Sequence, residues 1–373
     1  MSVIDITSGT VFPAISAAIT GSQSGDTITV SAGSYVEDFP SITHSLTIQS
    51  TGGLAWLRTP SPTPSNGRAI LNVPADLGVS LSVSGLALSG ARNDPVLSDN
   101  GAAILFETGN TALRVTNSLI FDNQDGILTG GTDAASGGGG MTVRIDHSEI
   151  YGNGLASTDP RFGFDHNVYV GSADSLVVQN SYLHDALGGH EIKSRAMAST
   201  ITGNRIQDGS SAATSYSIDL PDGGVGVVSG NTIEKGPASP NRSVVHFGGE
   251  GTYANSSLLM ATNTVINDRA AGGTALSNQT LDANGHDVPA TITGNLLYGI
   301  LPGDLFDDHG HGPADTATGN SFSTTATPAL DKTPLYQVTL AEPSGLAILA
   351  VCLCSMVLLI RRRRRCRVAA RRA

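Results

Sequence analysis

The side chains of this 373-residue chain that are suited to chemistry are concentrated in four short segments between residues 165 and 251. Each segment joins a short apolar stretch to an acidic, basic or nucleophilic residue. The segments are DHNVYVG at 165–171, GGHEIKSRA at 188–196, SYSIDLPDGG at 215–224 and HFGGEG at 246–251. Because Tyr, Lys, Asp, His and Arg are the residue types that transfer protons and bind acidic groups, this region is the candidate site.

The four segments, with one further stretch on each side, can be aligned by one inward apolar residue each. The aligned residues are Ile127, Val168, Ile192, Ile218, Val245 and Ala275. Because neighbours along a strand point to opposite faces, the next residue in each segment is predicted to point outward. These outward residues are Leu128, Tyr169, Lys193, Asp219, His246 and Leu276. Four reactive side chains between two leucines predict a catalytic column, and a solvated polar face with salt bridges is the structural alternative.

One reaction that these residue types could carry out is β-elimination on a uronate sugar. This reaction needs a cation at the carboxylate, a base for the C5 proton and an acid for the leaving oxygen. Arg195 is predicted to share the face of Lys193, and its fork matches a carboxylate. Lys193 is the predicted base if desolvation and cationic neighbours lower its pKa, with His246 as the alternative base. Tyr169 fits the acid or a second base, and Asp219 the group that orients them.

Five further residues are predicted to bind substrate around the column. They are Asn167, Glu191, Ser217, Arg242 and Glu250. Glu191 and Asp219 also offer the carboxylate oxygens that Ca²⁺ prefers, so calcium is the one cofactor predicted. His166 and His190 occupy equivalent places in two consecutive segments of this alignment. Strand alternation predicts that both point inward or lie at a corner, in structural roles, and their spacing matches no metal-ligand signature.

Two other classes of function fit the same residues. A glycoside hydrolase that inverts configuration needs two carboxyl groups about 6.5–9.5 Å apart. Glu191 and Asp219 have a suitable offset, and Asp222 and Glu250 are further candidates. A glycan-binding or adhesin solenoid would use this face without turnover. Loss of turnover with retained sugar binding in Lys193→Ala would distinguish an enzyme from such a scaffold.

The elements that must position these residues follow from a pattern that returns every 23–33 residues. The pattern reads apolar, polar, Gly/Asn/Thr/His, Asn/Ser, any residue, apolar. Its Asn/Ser position falls at 118, 148, 181, 204, 231, 263, 295 and 320. A period of this size predicts one supersecondary unit per repeat, stacked in a row. The Asn/Ser series predicts a ladder of side chains at one corner of the stack.

The beginning of the chain predicts a cap for this stack. Residues 12–19 have helical spacing of apolar residues, and a turn-rich segment and short strands follow. The opening and the repeats resemble the right-handed parallel β-helices of the pectate-lyase-like class, in which a short helix covers the open end. The resemblance implies an all-β, single-stranded right-handed parallel β-helix over residues 1–322 that acts on an acidic polysaccharide. The chain lacks the closely set aspartates of the pectin-hydrolysing β-helices and the Asp-Pro-His-Asp motif of the alginate C5-epimerases.

The composition favours a solenoid and excludes some classes of binding partner. Glycine is abundant, with 45 residues, and charged residues make up only 14% of the chain. Thirteen of the 21 basic residues precede residue 361, against 32 acidic ones, so the body carries a net charge of −19. This charge argues against nucleic acid as a partner. The three cysteines all lie after residue 351, so no disulfide partner is expected in the body.

The C-terminal region predicts a membrane segment. Residues 345–360 carry no charge and are followed by Arg361–Arg365, which predicts a transmembrane-type helix with a basic tail over 345–373. A linker is predicted at 323–344. The residues Ala341-Glu342-Pro343-Ser344 and the segment after them resemble the PEP-CTERM sorting signal, and an ordinary tail anchor is the alternative. We therefore expect an extracytoplasmic protein associated with the membrane, although Met1–Thr20 carries no recognisable signal peptide.

Overall fold

The computed structural model describes residues 2–93, 100–131, 139–210, 213–282, 284–286, 288–307, 315–323 and 328–337. The first elements are two short strands, a helix and two long strands that start the solenoid. They are β1 (Val3–Asp5), β2 (Thr10–Phe12), α1 (Ile15–Gly21), β3 (Asp26–Val36) and β4 (Leu46–Arg58). The helix predicted at 12–19 is thus present at Ile15–Gly21, where Ile15, Ala18 and Ile19 are buried in the end of the core.

The rest of the described chain winds through three faces, and the strands within each face are parallel. The first face contains β6 (Ser80–Ser84), β9 (Ala112–Thr116), β12 (Thr142–Asp146), β15 (Ser175–Gln179), β18 (Ala198–Thr202), β21 (Val225–Ser229), β24 (Ser257–Ala261), β27 (Ala290–Thr293) and β30 (Thr316–Thr318). The second face contains β7 (Leu86–Ser89), β10 (Leu119–Phe121), β13 (Glu149–Tyr151), β16 (Tyr182–His184), β19 (Arg205–Gln207), β22 (Thr232–Lys235), β25 (Thr264–Asn267), β28 (Leu296–Tyr298) and β31 (Ser321–Ser323).

The third face is a separate sheet with nine strands in the described residues. They are β5 (Ala69–Val73), β8 (Ala102–Phe106), β11 (Asp125–Thr129), β14 (Val168–Val170), β17 (Ile192–Ser194), β20 (Ile218–Leu220), β23 (Ser243–Gly248), β26 (Thr274–Gln279) and β29 (Phe306–Asp307). A short 3-10 helix, Pro302–Asp304, precedes β29. Each strand of a face pairs in parallel with the strand one coil away, so the chain forms the parallel β-helix that its repeats predict.

The corner between the first and second faces carries the predicted ladder. Each residue of the Asn/Ser series donates its backbone N–H to the side chain of the next member, from Ser118 through to Asn320 as the last acceptor. In its second half the amides also join directly, as where Asn204 Nδ2 donates to Asn231 Oδ1 at 3.0 Å. The residue before the corner has positive φ, for example 50° at Asn117 and 45° at His147. This backbone conformation explains the Gly, Asn, Thr or His in the repeat.

The interior is a continuous apolar column that holds the third face in register. Ile127, Val168, Ile192, Ile218 and Val245 are all fully buried and stack one coil above another. Burial of each such side chain contributes about 1.5–3 kcal/mol. A slip of one residue would turn this apolar set outward, so the core also determines which side chains the third face presents to solvent.

A C-terminal strap, residues 328–337, lies against the second face. Glu149 accepts hydrogen bonds from the backbone N–H groups of Leu335 and Tyr336 at 2.6 and 3.1 Å. Arg205 donates to the carbonyl oxygens of Asp331 and Thr333 at 3.0 and 2.8 Å. Part of the predicted linker therefore packs on the solenoid. The predicted transmembrane-type helix at 345–373 lies outside the described residues, and no helix within them is long and apolar enough to span a membrane.

Candidate functional site

The outward residues predicted to form a column do lie on adjacent strands of the third face. Tyr169 pairs with Lys193, Lys193 with Asp219, and Asp219 with His246. Leu128 pairs with Tyr169 and closes the column on one side, as predicted. The alignment was wrong at the other end, because His246 pairs with Ser277 and not with Leu276. Ala275 and Leu276 are adjacent, apolar and both fully buried, so hydrophobicity alone could not choose between them.

Asp219 is the centre of the polar contacts in the column. Its Oδ1 lies 2.7 Å from His246 Nδ1, and its Oδ2 lies 3.2 Å from His190 Nε2 and 3.0 Å from Lys193 Nζ. Burial would raise the pKa of Asp219, but the hydrogen bonds from the two imidazoles and the charge of Lys193 outweigh it and hold the pKa well below its usual value. Asp219 is therefore a buried anion that orients three basic groups.

Asp219 orients the imidazole of His246 through one ring nitrogen, and the other ring nitrogen makes no hydrogen bond within the described residues. Nδ1 faces the carboxylate, and Nε2 is buried with no hydrogen-bond partner among the described residues. The ring also stacks on Tyr216, with centroids 4.5 Å apart. An imidazole held by a carboxylate through Nδ1 has the orientation of a general base. However, only 6% of the residue is exposed, so in this conformation Nε2 does not reach the surface.

His166 and His190 belong to the site, which the sequence analysis did not predict. The N–H of Tyr216 donates to His190 Nδ1 at 3.1 Å, which leaves the Nε2 proton of the neutral ring for Asp219. The N–H of His190 donates in turn to His166 Nδ1 at 3.0 Å. The two rings stack with centroids 4.9 Å apart, and His166 stacks on Tyr169 at 5.5 Å. Both histidines lie just before their strands, where strand alternation no longer determines direction.

The protonation of Lys193 differs from the predicted one. Burial tends to lower its pKa, but Asp219 at 3.0 Å and Glu250 at 3.2 Å outweigh this and raise the pKa above the ordinary value. Lys193 therefore remains an ammonium group and cannot act as the resting base. His166 shows the opposite effect, since burial and the nearby charge of Lys193 keep its pKa well below the usual value. His166 is thus a neutral ring.

Arg195 lies on the same face as Lys193, as predicted, and connects three groups. Its Nε donates to Tyr169 Oη at 3.0 Å and its Nη1 to Asp222 Oδ1 at 2.7 Å. Its Nη2 bonds to a carboxylate oxygen of Glu250. The guanidinium therefore places positive charge directly beside the phenol oxygen of Tyr169. Glu250 contacts both cations and therefore lies over the column; its predicted role in substrate binding stays a prediction.

Three of the predicted substrate-binding residues are in the interior instead. Asn167, Glu191 and Ser217 are at most 1% exposed. Asn167 joins a second ladder, accepting from Asn153 at 2.7 Å and donating to Glu191. Burial and the nearby charge of Asp208 raise the pKa of Glu191 to about 8. The expectation that these three contact substrate is therefore corrected, because the corner where they lie turns them inward.

Arg242 lies on the surface but away from the column. It lines a separate cavity of about 440 Å³ together with Arg269 and residues 215, 240 and 241. Its Nη2 lies 3.4 Å from Asp304 Oδ1. It therefore does not share a contact with Lys193 or Arg195.

A cleft of about 410 Å³ opens beside Tyr169. Its lining includes Arg68, Glu107, Asp125, Leu128, Phe164, His166, Tyr169, Lys193 and Arg195. Phe164 is 72% exposed at the rim, and Arg68 pairs with Glu107 at 2.9 Å. Arg68 and Phe164 were not predicted as site residues, because they lie outside the aligned strands. An apolar rim residue beside several cations suits a sugar ring that carries a carboxylate.

The two carboxylates proposed for Ca²⁺ are engaged elsewhere. Both oxygens of Asp219 face nitrogen groups, and Glu191 is buried in the second ladder. No group of three His, Cys, Asp or Glu residues in the described part of the chain is arranged to hold a metal ion. These two residues therefore do not present a calcium site in this conformation.

A match to a family model supports the fold over part of the chain. Residues 135–302 match the family model described as the right handed beta helix region. Alginate lyase from Paenibacillus sp. str. FPU-7 is similar in structure at 16% identity, covering 82% of this chain and 91% of that one, with a TM-score of 0.41. Pectin methylesterase PemA from Erwinia chrysanthemi is similar at 10% identity, covering 87% and 89%, with a TM-score of 0.32.

A third similar structure is the catalytic unit of the GH87 alpha-1,3-glucanase from Streptomyces thermodiastaticus strain HF3-3. It has 16% identity, coverage of 82% of this chain and 64% of that one, and a TM-score of 0.39. No curated protein matches this sequence. The parallel strand order of the described residues and the family model over residues 135–302 together support a right-handed parallel β-helix fold.

Proposed function

We propose that this protein is a lyase that cleaves an acidic, uronate-containing polysaccharide by β-elimination on its third face. The observation that carries the proposal is the contact of Arg195 with Tyr169 Oη at 3.0 Å, beside the ammonium group of Lys193. A carboxylate of the substrate would bind at the two cations, which stabilise the charge that develops when the C5 proton leaves. A neutral glycan would not use these cations.

Tyr169 is the group we assign to remove the C5 proton. It lines the cleft, whereas Nε2 of His246 is buried. Its phenolate oxygen would be stabilised by the charged hydrogen bond from Arg195. As the C5–H bond breaks, its electrons form the C4–C5 double bond, and the C4–O bond breaks. Lys193, which remains protonated, would then protonate the leaving oxygen.

Asp219, His190 and His246 would act as positioning residues in this scheme. Asp219 holds Lys193 at 3.0 Å and receives one hydrogen bond from each imidazole. The stacked rings of His190, Tyr216 and His246 restrict its movement. A lysine held on a buried anion cannot swing away from the column, so the proton it supplies would remain in one place.

The test is the ultraviolet absorbance of the unsaturated sugar that elimination creates. The full-length chain would be incubated with alginate and polygalacturonate, with and without Ca²⁺, beside Lys193→Ala and the control Asp331→Asn on the strap. We expect a rise for the wild type and Asp331→Asn but none for Lys193→Ala. New reducing ends without absorbance would establish a hydrolase instead. Sugar binding without either product would establish a glycan-binding solenoid.

We also propose that the solenoid acts outside the cytoplasm and is held at a membrane by residues 345–373. The proposal is supported by the uncharged run at 345–360 followed directly by Arg361–Arg365. Fractionation of expressing cells, followed by protease treatment of intact cells, tests it. Full-length protein in a cytoplasmic soluble fraction, protected from the protease, would overturn it.

A further inference from the structure

The two cations of the site are already neutralised in this structure. Lys193 pairs with Asp219 at 3.0 Å and with Glu250 at 3.2 Å. Arg195 pairs with Asp222 at 2.7 Å and also with Glu250. Three carboxyl groups thus face two cations, and the pair has no surplus positive charge to offer. An incoming carboxylate can bind there only if one of the three leaves.

Glu250 is the carboxylate that can leave. The side chains of Asp219 and Asp222 are each 2% exposed, but that of Glu250 is 48% exposed. Returning Glu250 to water would therefore cost little desolvation energy. Its backbone is held separately, since its N–H donates to the carbonyl of Pro221 at 2.9 Å. Rotation of the side chain alone would free Lys193 and Arg195 without moving the chain.

The carboxylate of Glu250 also lies where the carboxylate of a bound substrate would lie. Its two oxygens divide between Lys193 and Arg195, as the two oxygens of a substrate carboxylate would. Burial would raise the pKa of Glu250, but its contacts with Arg195 and Lys193 outweigh this and lower it. The group is therefore charged at neutral pH and remains a competitor there.

We propose that the Glu250 carboxylate occupies the place of a substrate carboxylate on Lys193 and Arg195 and is displaced when an acidic sugar binds. This inference rests on the proposed function and adds a determinant of specificity to it. A free carboxylate can replace Glu250, because it supplies the same charge. A methyl-esterified sugar is a poor replacement, because it is neutral and would break the contacts of Glu250 with Lys193 and Arg195 without supplying a charge in return. Glu250 therefore selects for unesterified uronates.

The experiment compares Glu250→Gln with wild type and with Asp331→Asn, which removes one charge from the strap. Binding of an unesterified uronate oligosaccharide is measured by calorimetry in a Tyr169→Phe background, and kcat/KM for the free and methyl-esterified polymers in the active background. We expect Glu250→Gln to bind the free oligosaccharide about threefold to tenfold more tightly. The kcat/KM for the esterified polymer should also rise, because this polymer no longer has to displace a carboxylate, and Asp331→Asn should behave like wild type.

The outcomes separate this inference from the proposed function. Wild-type binding and elimination with an unchanged or weaker affinity in Glu250→Gln would overturn the role of Glu250 and leave the lyase proposal standing. Binding by Glu250→Gln alone would support displacement strongly. Absence of binding and elimination in both proteins would overturn both proposals. Glu250→Ala serves as a second variant, since it removes the hydrogen-bonding group as well as the charge.

Discussion

Nδ1 of His246 lies 2.7 Å from Oδ1 of Asp219, on adjacent strands of the third face. The other oxygen of the same carboxylate holds Lys193 at 3.0 Å. One buried anion thus couples the imidazole to the ammonium group, although the three residues come from three different coils. Changes at any of them are expected to affect the others, because they share a partner.

Asp219→Asn is expected to reduce stability as well as activity. The substitution removes the charge that compensates Lys193 and replaces one of the two oxygens that face the imidazoles with an NH2 donor. Breaking a buried ion pair costs about 3 kcal/mol. Urea denaturation, monitored by circular dichroism, measures the loss in the free energy of unfolding. Asp304→Asn is the control, since Asp304 pairs with Arg242 at 3.4 Å in a largely exposed contact. A loss below about 0.5 kcal/mol for Asp219→Asn would contradict this role.

Tyr169→Phe is expected to lower kcat about 100-fold or more while KM changes little. The reason is that a general base contributes about 10²–10⁴ to the rate, whereas Arg195 keeps its contacts with Asp222 and Glu250. Steady-state kinetics on the best substrate checks the result. Tyr151→Phe on the second face is the matched control and should retain full activity. Equal activity in Tyr169→Phe would transfer the role of the base to another residue, with His246 as the first candidate.

Stability is expected to depend on pH through His184. Burial tends to lower its pKa, but hydrogen bonds to Asp185 and Glu149 outweigh this and raise it to about 9, from 6.5. The folded state therefore binds the extra proton between these values. Its contribution of about 2–3 kcal/mol is complete below pH 6.5 and is lost as pH rises through 9.

The comparison with His184→Gln measures this contribution. The difference in unfolding free energy between wild type and variant should be largest near pH 6 and should shrink as the pH approaches 9.5. A difference that stays constant across this range would show that His184 acts through stacking on Tyr151 and Tyr182 and not through its charge.

Glu149→Gln is expected to loosen the C-terminal strap without unfolding the solenoid. One oxygen of Glu149 accepts from the N–H groups of Leu335 and Tyr336, and a neutral acceptor forms weaker bonds than a carboxylate. Hydrogen exchange at these two amides should accelerate about tenfold, with no change at the ladder residue Asn231. Faster exchange throughout the coils, or unchanged exchange at residues 335 and 336, would argue that Glu149 does not hold the strap in place.

Much of the fold could be predicted from local pattern. The Asn/Ser period follows directly from the stacking of the coils, because each ladder residue forms a hydrogen bond with the next one. Alternation also predicted that Tyr169, Lys193, Asp219 and His246 share a face, since parallel strands in register place equivalent residues side by side. The error at Leu276 arose where two adjacent apolar residues satisfied the same pattern.

The sequence by itself determined the solenoid, its corner ladder and the column of four outward residues, because all three repeat at the spacing of the coils. Tertiary structure alone decided which residues surround the column and how they are charged. The corners turn Asn167 and Glu191 inward and bring His166 and His190 to the site, since strand alternation ends where the strand ends. Lys193 remains protonated because Asp219 and, to a lesser extent, Glu250 lie beside it. The contact with Glu250, 57 residues away, is one that no local spacing encodes.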